Sequence, residues 1–540
     1  MVFTKDQVDY SLYLVTDSTM LPPGATLSSQ VEEGLMNGVT LVQIREKDCD
    51  TKNFFHEGVL IKKLCTDYNV PLIVNDRVDV ALAIRADGVH VGQDDMPIPV
   101  VRELLGPDKI IGWSVSKVEE VEKLANWGPG MVDNIGIGMV FPTQTKKNPK
   151  KSPMGTAGVI KVLDALENCG ASWVKTVAIG GLHPDNIQRV LYQCSSTNGR
   201  RYLDGIAVVS DIMASEDAGL STRILRDLLD SNSYKFVDFG LSNEALQVSN
   251  INAALHQVHF ARPLVQHMTN KVHQNFGANV TLAVFGSPIM SEVVSEVKDL
   301  SNIPYASLLI NTGTIAPLDV LKAAVTAYNE SKRPVVLDPV GYSATPTRMS
   351  LNNDLLSYGQ FSCIKCNASE MLSLAELSDE RMKGVDSSGS NINNDTVIKA
   401  TKIVAYRYKT IAVCTGEYDF IANGTMGGHY SLGTQEIRGD SPSIPCFVVH
   451  GGNIPIMGDI TASGCSLGST ITSFLGSLSF PNEAQNAVIA AVTLYKAAGK
   501  LAASRCKGSG SFQVEFIDAL YQLSRENIPE KWDVKYELIL

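Results

Sequence analysis

The sequence predicts two α/β units in tandem: a closed (β/α)8 barrel, then an open sheet with helices on both faces. Three observations carry that expectation. A chain of 540 residues exceeds what one hydrophobic core normally supports. Short runs rich in Val, Ile and Leu recur at regular spacing through the first half, as strands of a covered parallel sheet do. Beyond a loss of apolar pattern over 230–243, strands and helices alternate again with a different rhythm.

In order, the first unit's runs are 12–17, 41–46, 71–76, 88–92, 110–115, 134–141, 174–181 and 205–210. Segments of helical spacing such as 54–68 and 117–127 separate them. Eight strand–helix repeats are the arithmetic of a barrel, since a doubly wound open sheet usually has fewer strands. The second unit offers 307–312, 334–339, 363–366 and 410–415 as buried strands, with amphipathic segments 318–330 and 395–408 between them. The boundary is expected near residue 238, giving units 1–237 and 238–540. Two polar, glycine-bearing stretches, 386–394 and 424–458, read as loops.

Composition excludes several functions. A formal charge of −11 argues against a nucleic-acid surface. The N-terminus lacks the basic and apolar regions of a signal peptide. The stretch 484–503 comes nearest to a membrane span, but Asn486, Lys496 and Lys500 mark it as a core helix. Ten scattered cysteines suggest reduced thiols and a cytoplasmic location. Cys363 and Cys366 have CxxC spacing without a second pair or a redox context, which makes a zinc or redox site the poorer reading. A P-loop motif is missing from the second unit.

Polar residues gather where the barrel's strands end, the rim on which such folds build active sites. They are Gln43, Arg45 and Lys47 on the second strand, Asn75 and Asp76 on the third, and Asp95 after the fourth. Ser114, Thr143, Thr145 and Lys146, the Gly180-Gly181 turn and Ser210 follow on the later strands. Alternation puts Gln43, Arg45 and Lys47 on one side of their strand. Asp76 and Asp95 end neighbouring strands, so their carboxylates can share one Mg2+. Each residue alone has a plainer reading as a cap, turn or surface ion pair.

The motifs Gln43-Ile-Arg-Glu-Lys47, Val74-Asn-Asp76, Val91-Gly-Gln-Asp-Asp95, Pro142-Thr-Gln-Thr-Lys146, Ala178-Ile-Gly-Gly181 and Val208-Val-Ser210 resemble thiamine-phosphate synthases over about residues 8–230. The resemblance implies Mg2+ at Asp76 and Asp95 on the pyrophosphate of a hydroxymethylpyrimidine substrate. Arg45, Lys47, Asn75 and Lys146 would be its further partners, with Gln43 also binding substrate. Thr143, Thr145, Gly181, Val209 and Ser210 would hold a thiazole phosphate, with Ser114 near the departing group.

In the second unit, the small-residue turn Ala462-Ser463-Gly464-Cys465 runs into an apolar helix, aiming free N–H groups and a positive dipole end at whatever binds there. At a helix start the thiolate of Cys465 is expected to be favoured. Asp338 and Glu370 at strand ends make a candidate Mg2+ pair, against the plainer reading of a cap and a surface acid. Together with Pro263–Asn270, Ser287–Met290 and Val336–Gly341, these residues resemble the hydroxyethylthiazole kinases, which are ribokinase-like, over about 255–525. That resemblance implies thiazole contacts at Met290 and Ala462, ATP contacts at Thr415 and at Lys365, which replaces the usual arginine, and Cys465 as the catalytic group. It also implies ATP as donor, Mg2+, and a homo-oligomer built on trimers, up to a hexamer. The expected protein is therefore a bifunctional enzyme of thiamine biosynthesis with small-molecule substrates and neither nucleic-acid nor membrane partners. Alternatives left open are a kinase unit kept only for oligomerisation and a non-catalytic sensor of thiamine compounds.

Overall fold

The computed structural model describes residues 4–47, 49–143, 153–231, 248–377, 393–425, 444–479 and 483–539. They form two compact units, one on either side of residues 232–247. The expected boundary at 237/238 lies outside the described residues, as do Thr145, Lys146 and most of the two expected loops.

The first unit is a closed barrel of eight parallel strands in sequential order: β1 Leu12–Val15, β2 Leu41–Ile44, β3 Leu72–Asn75, β4 Gly88–Val91, β5 Ile110–Val115, β6 Asn134–Gly138, β7 Lys175–Ile179 and β8 Gly205–Val208. Alternation sorts each strand's residues. Leu12, Leu14, Val42, Ile44, Leu72 and Val74 pack outward in a core shared with the helices. Tyr13, Leu41, Ile73, Ile110, Val177 and Ala207 form a separate inner cluster that plugs the barrel. Above that plug the inward positions turn polar or small, which is what opens a site there. A Cβ on Gly112 would collide with the His90 ring. The glycine is therefore the reason His90 fits inside.

The second unit holds one nine-stranded sheet: β9 Leu264–Met268, β10 Ser287–Ile289, β11 Ser307–Asn311, β12 Val335–Asp338, β13 Cys363–Asn367, β14 Ile411–Thr415, β15 Asp419–Asn423, β16 Cys446–His450 and β17 Lys535–Ile539. Their order is β10-β9-β11-β12-β13-β14-β15-β16-β17, parallel as far as β14 and antiparallel from there to β17. Sequence reasoning found the central four strands and missed the five at the two sides. One of those, β16, lies inside the stretch 424–458 that had read as a loop. Two apolar cores cover the two faces.

Cys363 belongs to one face's core and Cys366 to the other's, so their side chains leave opposite sides of β13 and cannot close on one metal. A helix, Ala368–Leu374, follows that strand. The helix Ala484–Arg505 has the length and hydropathy of a membrane span, yet 78% of its most apolar window is buried within the structure. It is a core helix.

Candidate active sites

The barrel's open end encloses a cavity of about 140 Å³. Its wall contains Gln43, Arg45, Asn75, Ser114, Thr143, Gly181, Val209 and Ser210, so eight predicted residues come together. Gln43 is buried, and its amide donates to the Tyr13 hydroxyl at 2.7 Å. Arg45 pairs with Asp17 at 3.1 Å. The strand expectation was wrong for Arg45 and Lys47. β2 ends at Ile44, because Thr16 Oγ1 takes the Arg45 N–H and the chain turns away. Lys47 is half exposed and reaches Asp76 at 3.3 Å instead of the cavity.

Asp76 and Asp95 do converge. Asp76 stands just past β3 with φ of +60°, and its N–H donates to the His90 carbonyl at 2.8 Å. Asp95 is folded back on the Gly92 N–H at 2.7 Å. Burial, then the contact with Asp76, push the Asp95 carboxyl above its ordinary range. Two carboxylates pressed together in that way want a cation between them, and the oxygen-only chemistry suits Mg2+.

Three residues with polar side chains in the cavity wall escaped sequence reasoning. Tyr13, His90 and His183 all line the wall. His90 Nε2 lies 2.9 Å from Ser114 Oγ, while Gln93 donates to the Ser114 carbonyl at 2.7 Å. His90 carried a usable signal: it shares the inward side of β4 with Gly88, a polar residue where an apolar one is normal.

In the second unit the helix Ser463–Gly476 lies across β9, β11 and β12. Asn311 and Asp338 are direct register partners. They end β11 and β12, and with Lys365 midway along β13 they face this helix. The contacts form one chain. Lys365 Nζ donates to both Asp338 oxygens at 3.0 Å and to the Gly464 carbonyl at 2.9 Å. Asn311 Nδ2 donates to Asp338 at 2.7 Å, and Asn270 Nδ2 donates to Asn311 at 2.8 Å and to Cys465 Sγ at 3.5 Å. Asn270 sits within the Pro263–Asn270 motif but had been given no role.

Cys465 corrects an expectation. Burial, then the Asp338 charge, push its thiol up to about 11, against the opposing pull of Lys365. The helix terminus does not make a thiolate here, because desolvation outweighs a partial dipole charge. Ala462 takes a left-handed conformation with φ of +65° at the helix's start, a place where glycine costs less. Lys365 is 5% exposed. Burial alone would lower its ammonium, but Asp338, Cys465 and Glu370 together raise it, so it stays charged. Its bonds run inward to Asp338 and Gly464, not out to solvent.

Glu370 is neither a surface acid nor open. Its Oε1 accepts from the Gly341 N–H and its Oε2 from the Asn367 N–H, both at 2.8 Å, the second closing a capping box. Burial, then Asp338, bring its carboxyl up to about 7. Asp338 Oδ2 accepts from both Lys365 and Asn311, whereas Asp338 Oδ1 and the two Glu370 oxygens accept one bond each and keep a lone-pair direction that fits Mg2+ held through water. Thr415 ends β14 opposite Asn367, with its hydroxyl on the Cys366 carbonyl at 3.2 Å. Met290 follows the edge strand β10 and is half-buried.

Comparison with known proteins agrees with this two-site geometry. The family model described as thiamine monophosphate synthase matches residues 12–212, and that of the hydroxyethylthiazole kinase family matches residues 255–526. The chain is 65% identical over 534 residues to the thiamine biosynthetic bifunctional enzyme of Saccharomyces cerevisiae, covering 98% of each chain. It is 40% identical over 536 residues to a probable thiamine biosynthetic bifunctional enzyme of Schizosaccharomyces pombe, covering 97% of each. A thiamine-phosphate synthase of Clostridium botulinum is 38% identical over 226 residues, which is 42% of this chain and 97% of that one.

Proposed function

The chain belongs to the family of bifunctional thiamine biosynthetic enzymes, a thiamine-phosphate synthase joined to a hydroxyethylthiazole kinase, and from that premise we propose how its residues divide the two reactions. The C-terminal unit phosphorylates 4-methyl-5-(2-hydroxyethyl)thiazole with ATP. The barrel joins the resulting phosphate to hydroxymethylpyrimidine diphosphate, giving thiamine phosphate and pyrophosphate. The observation that carries the division is that each unit brings its own charged cluster to the C-terminal ends of parallel strands.

In the barrel, Arg45, Lys47, Asn75 and Lys146 bind the pyrimidine diphosphate, with Gln43 fixing the ring. Thr143, Thr145, Gly181, Val209 and Ser210 take the thiazole phosphate. Asp76 and Asp95 hold Mg2+, which when bound neutralises the leaving pyrophosphate. The bond from the pyrimidine's methylene carbon to the pyrophosphate oxygen breaks first, and the thiazole nitrogen then captures the methylene cation. Such a reaction asks the protein for alignment and leaving-group stabilisation, and for no nucleophile of its own.

In the kinase unit, Met290 and Ala462 line the thiazole pocket and Thr415 meets ATP. Asp338 and Glu370 hold Mg2+ through water. Lys365 has a narrower part than an ATP clamp: it holds Asp338 and the Gly464 carbonyl, and so fixes the turn that cradles the transferring phosphoryl group. Cys465 takes the hydroxyethyl proton only in its minor thiolate form, since its thiol is pushed up to about 11. Because its thiol is held protonated, electrostatic stabilisation by the turn's N–H groups carries more of the rate than proton removal does. The same reading makes the chain a trimer-based homo-oligomer and places it in the cytoplasm, where ten free cysteines are at home.

The test supplies purified protein with the pyrimidine diphosphate, unphosphorylated hydroxyethylthiazole, ATP and Mg2+. Thiamine phosphate that vanishes when ATP is left out supports both halves. Product from ready-made thiazole phosphate alone would refute the kinase half.

A further inference from the structure

We propose that His183 is a cationic contact for the phosphate of the barrel's thiazole substrate, held in place and in charge by Asp211. The inference rests on reading the barrel as a synthase and adds a residue to its phosphate subsite.

The placement comes first. His183 follows the Gly180-Gly181 turn after β7 and lines the same cavity wall as Gly180, Gly181, Val209 and Ser210. Its backbone is braced: the His183 N–H donates to Asn186 Oδ1 at 3.0 Å, and Asn186 Nδ2 donates to the Gly181 carbonyl at 2.9 Å. The ring is braced as well, with Nδ1 2.8 Å from Asp211 Oδ2. A carboxylate on Nδ1 keeps a proton there, so the neutral ring offers Nε2 only as an acceptor and the imidazolium alone offers an Nε2–H to a ligand.

Charge makes the case stronger. Asp211 comes directly after Ser210, so a carboxylate stands beside the place where a dianionic phosphate would bind. Uncompensated, that arrangement repels the substrate. A protonated His183 cancels the repulsion and adds a charge-assisted donor. Among the described residues of the wall, the other basic groups are Arg45, already paired with Asp17, and His90, whose Nε2 is on Ser114. The charged groups acting on His183 are Asp211 and Asp185. The hydrogen bond to Asp211 leads in raising the imidazole above its ordinary value, while burial opposes it.

The experiment measures synthase kinetics of the full chain with ready-made thiazole phosphate, for the unaltered protein, His183→Asn and Asp211→Asn, from about pH 6 to about pH 9. Near pH 7, His183→Asn should raise KM for thiazole phosphate about five- to tenfold, with kcat within about twofold and KM for the pyrimidine diphosphate unchanged. The unaltered protein should lose affinity for thiazole phosphate as the imidazole deprotonates. His183→Asn should lack that inflection, and Asp211→Asn should show it at lower pH. Equal KM values with superimposable pH profiles would overturn the proposal, as would a fall in kcat with KM unmoved. If the unaltered chain makes no thiamine phosphate from these two substrates, the synthase reading itself fails, and this inference goes with it.

Discussion

Replacing Lys365 by methionine removes the ammonium from a pair that solvent barely reaches. Side-chain exposure is 5% for Lys365 and 0% for Asp338, with both carboxylate oxygens 3.0 Å from Nζ. At that separation and an effective dielectric constant of about 20, the attraction is about 5 kcal/mol. The observed cost of orphaning one partner of a buried pair is about 3–5 kcal/mol, so we expect about 3 kcal/mol lost from the kinase unit. Native-state hydrogen exchange reads it locally: amides of β11 to β14 should open more easily by that amount, while those of β1 to β8 stay unchanged. The deficit should shrink in acid. An orphaned Asp338 has a folded pKa above its unfolded one, which penalises the fold at neutral pH, and the penalty fades as protonation removes the charge. Adding Asp338→Asn should restore part of the stability and none of the kinase activity. A loss below about 1 kcal/mol, or one independent of pH, would refute the account of this pair.

Other expectations follow from the same geometry. Asp95→Asn should cut synthase turnover by about a hundredfold or more and raise its Mg2+ requirement, leaving phosphorylation of the thiazole alcohol intact; an unchanged Mg2+ titration would contradict the shared-carboxylate site. Alkylation of Cys465 should be slow at neutral pH and rise about tenfold per pH unit on the alkaline side, since its thiol is held at about 11; fast modification near pH 7 would show a thiolate instead. His267 and His273 are buried, sharing Ser469 Oγ at 3.1 and 3.2 Å, and burial pulls them down to about 4 and about 3. Folded pKa values below the unfolded value give stability that is present above about pH 6.5 and lost as pH falls. The kinase unit should therefore lose about 2 kcal/mol per histidine between about pH 7 and about pH 5, a slope that His267→Asn should roughly halve.

The barrel was legible because covered parallel strands are written as unbroken apolar runs, and their ends stand out as polar interruptions. Its eight strands and eight of its wall residues follow from that contrast. The kinase sheet was legible only in its middle. In the antiparallel flank β15 and β16 are buried but bounded by polar Asp419, Asn423 and His450, β17 is largely exposed, and β10 is three residues long, so these strands leave only short or broken runs. The partners that complete each site come from far away in sequence. Asn270 and Cys465 are 195 residues apart, and Asp17 meets Arg45 across 28. Cys465 shows the limit of local reasoning: the helix start was readable, but the desolvation that decides the thiol's charge belongs to the packed fold.

The most direct test of two chemically separate sites in one chain compares Cys465→Ala with Asp95→Asn. Each variant is given hydroxyethylthiazole, ATP, Mg2+ and the pyrimidine diphosphate, then ready-made thiazole phosphate in place of the alcohol. Cys465→Ala should form thiamine phosphate at the normal rate from the phosphate and about a hundredfold slower from the alcohol. Asp95→Asn should accumulate thiazole phosphate in the first mixture and make little product in either. An unimpaired alcohol-to-product rate in Cys465→Ala, or a kinase step lost in Asp95→Asn, would contradict the assignment of the two reactions to these two sites.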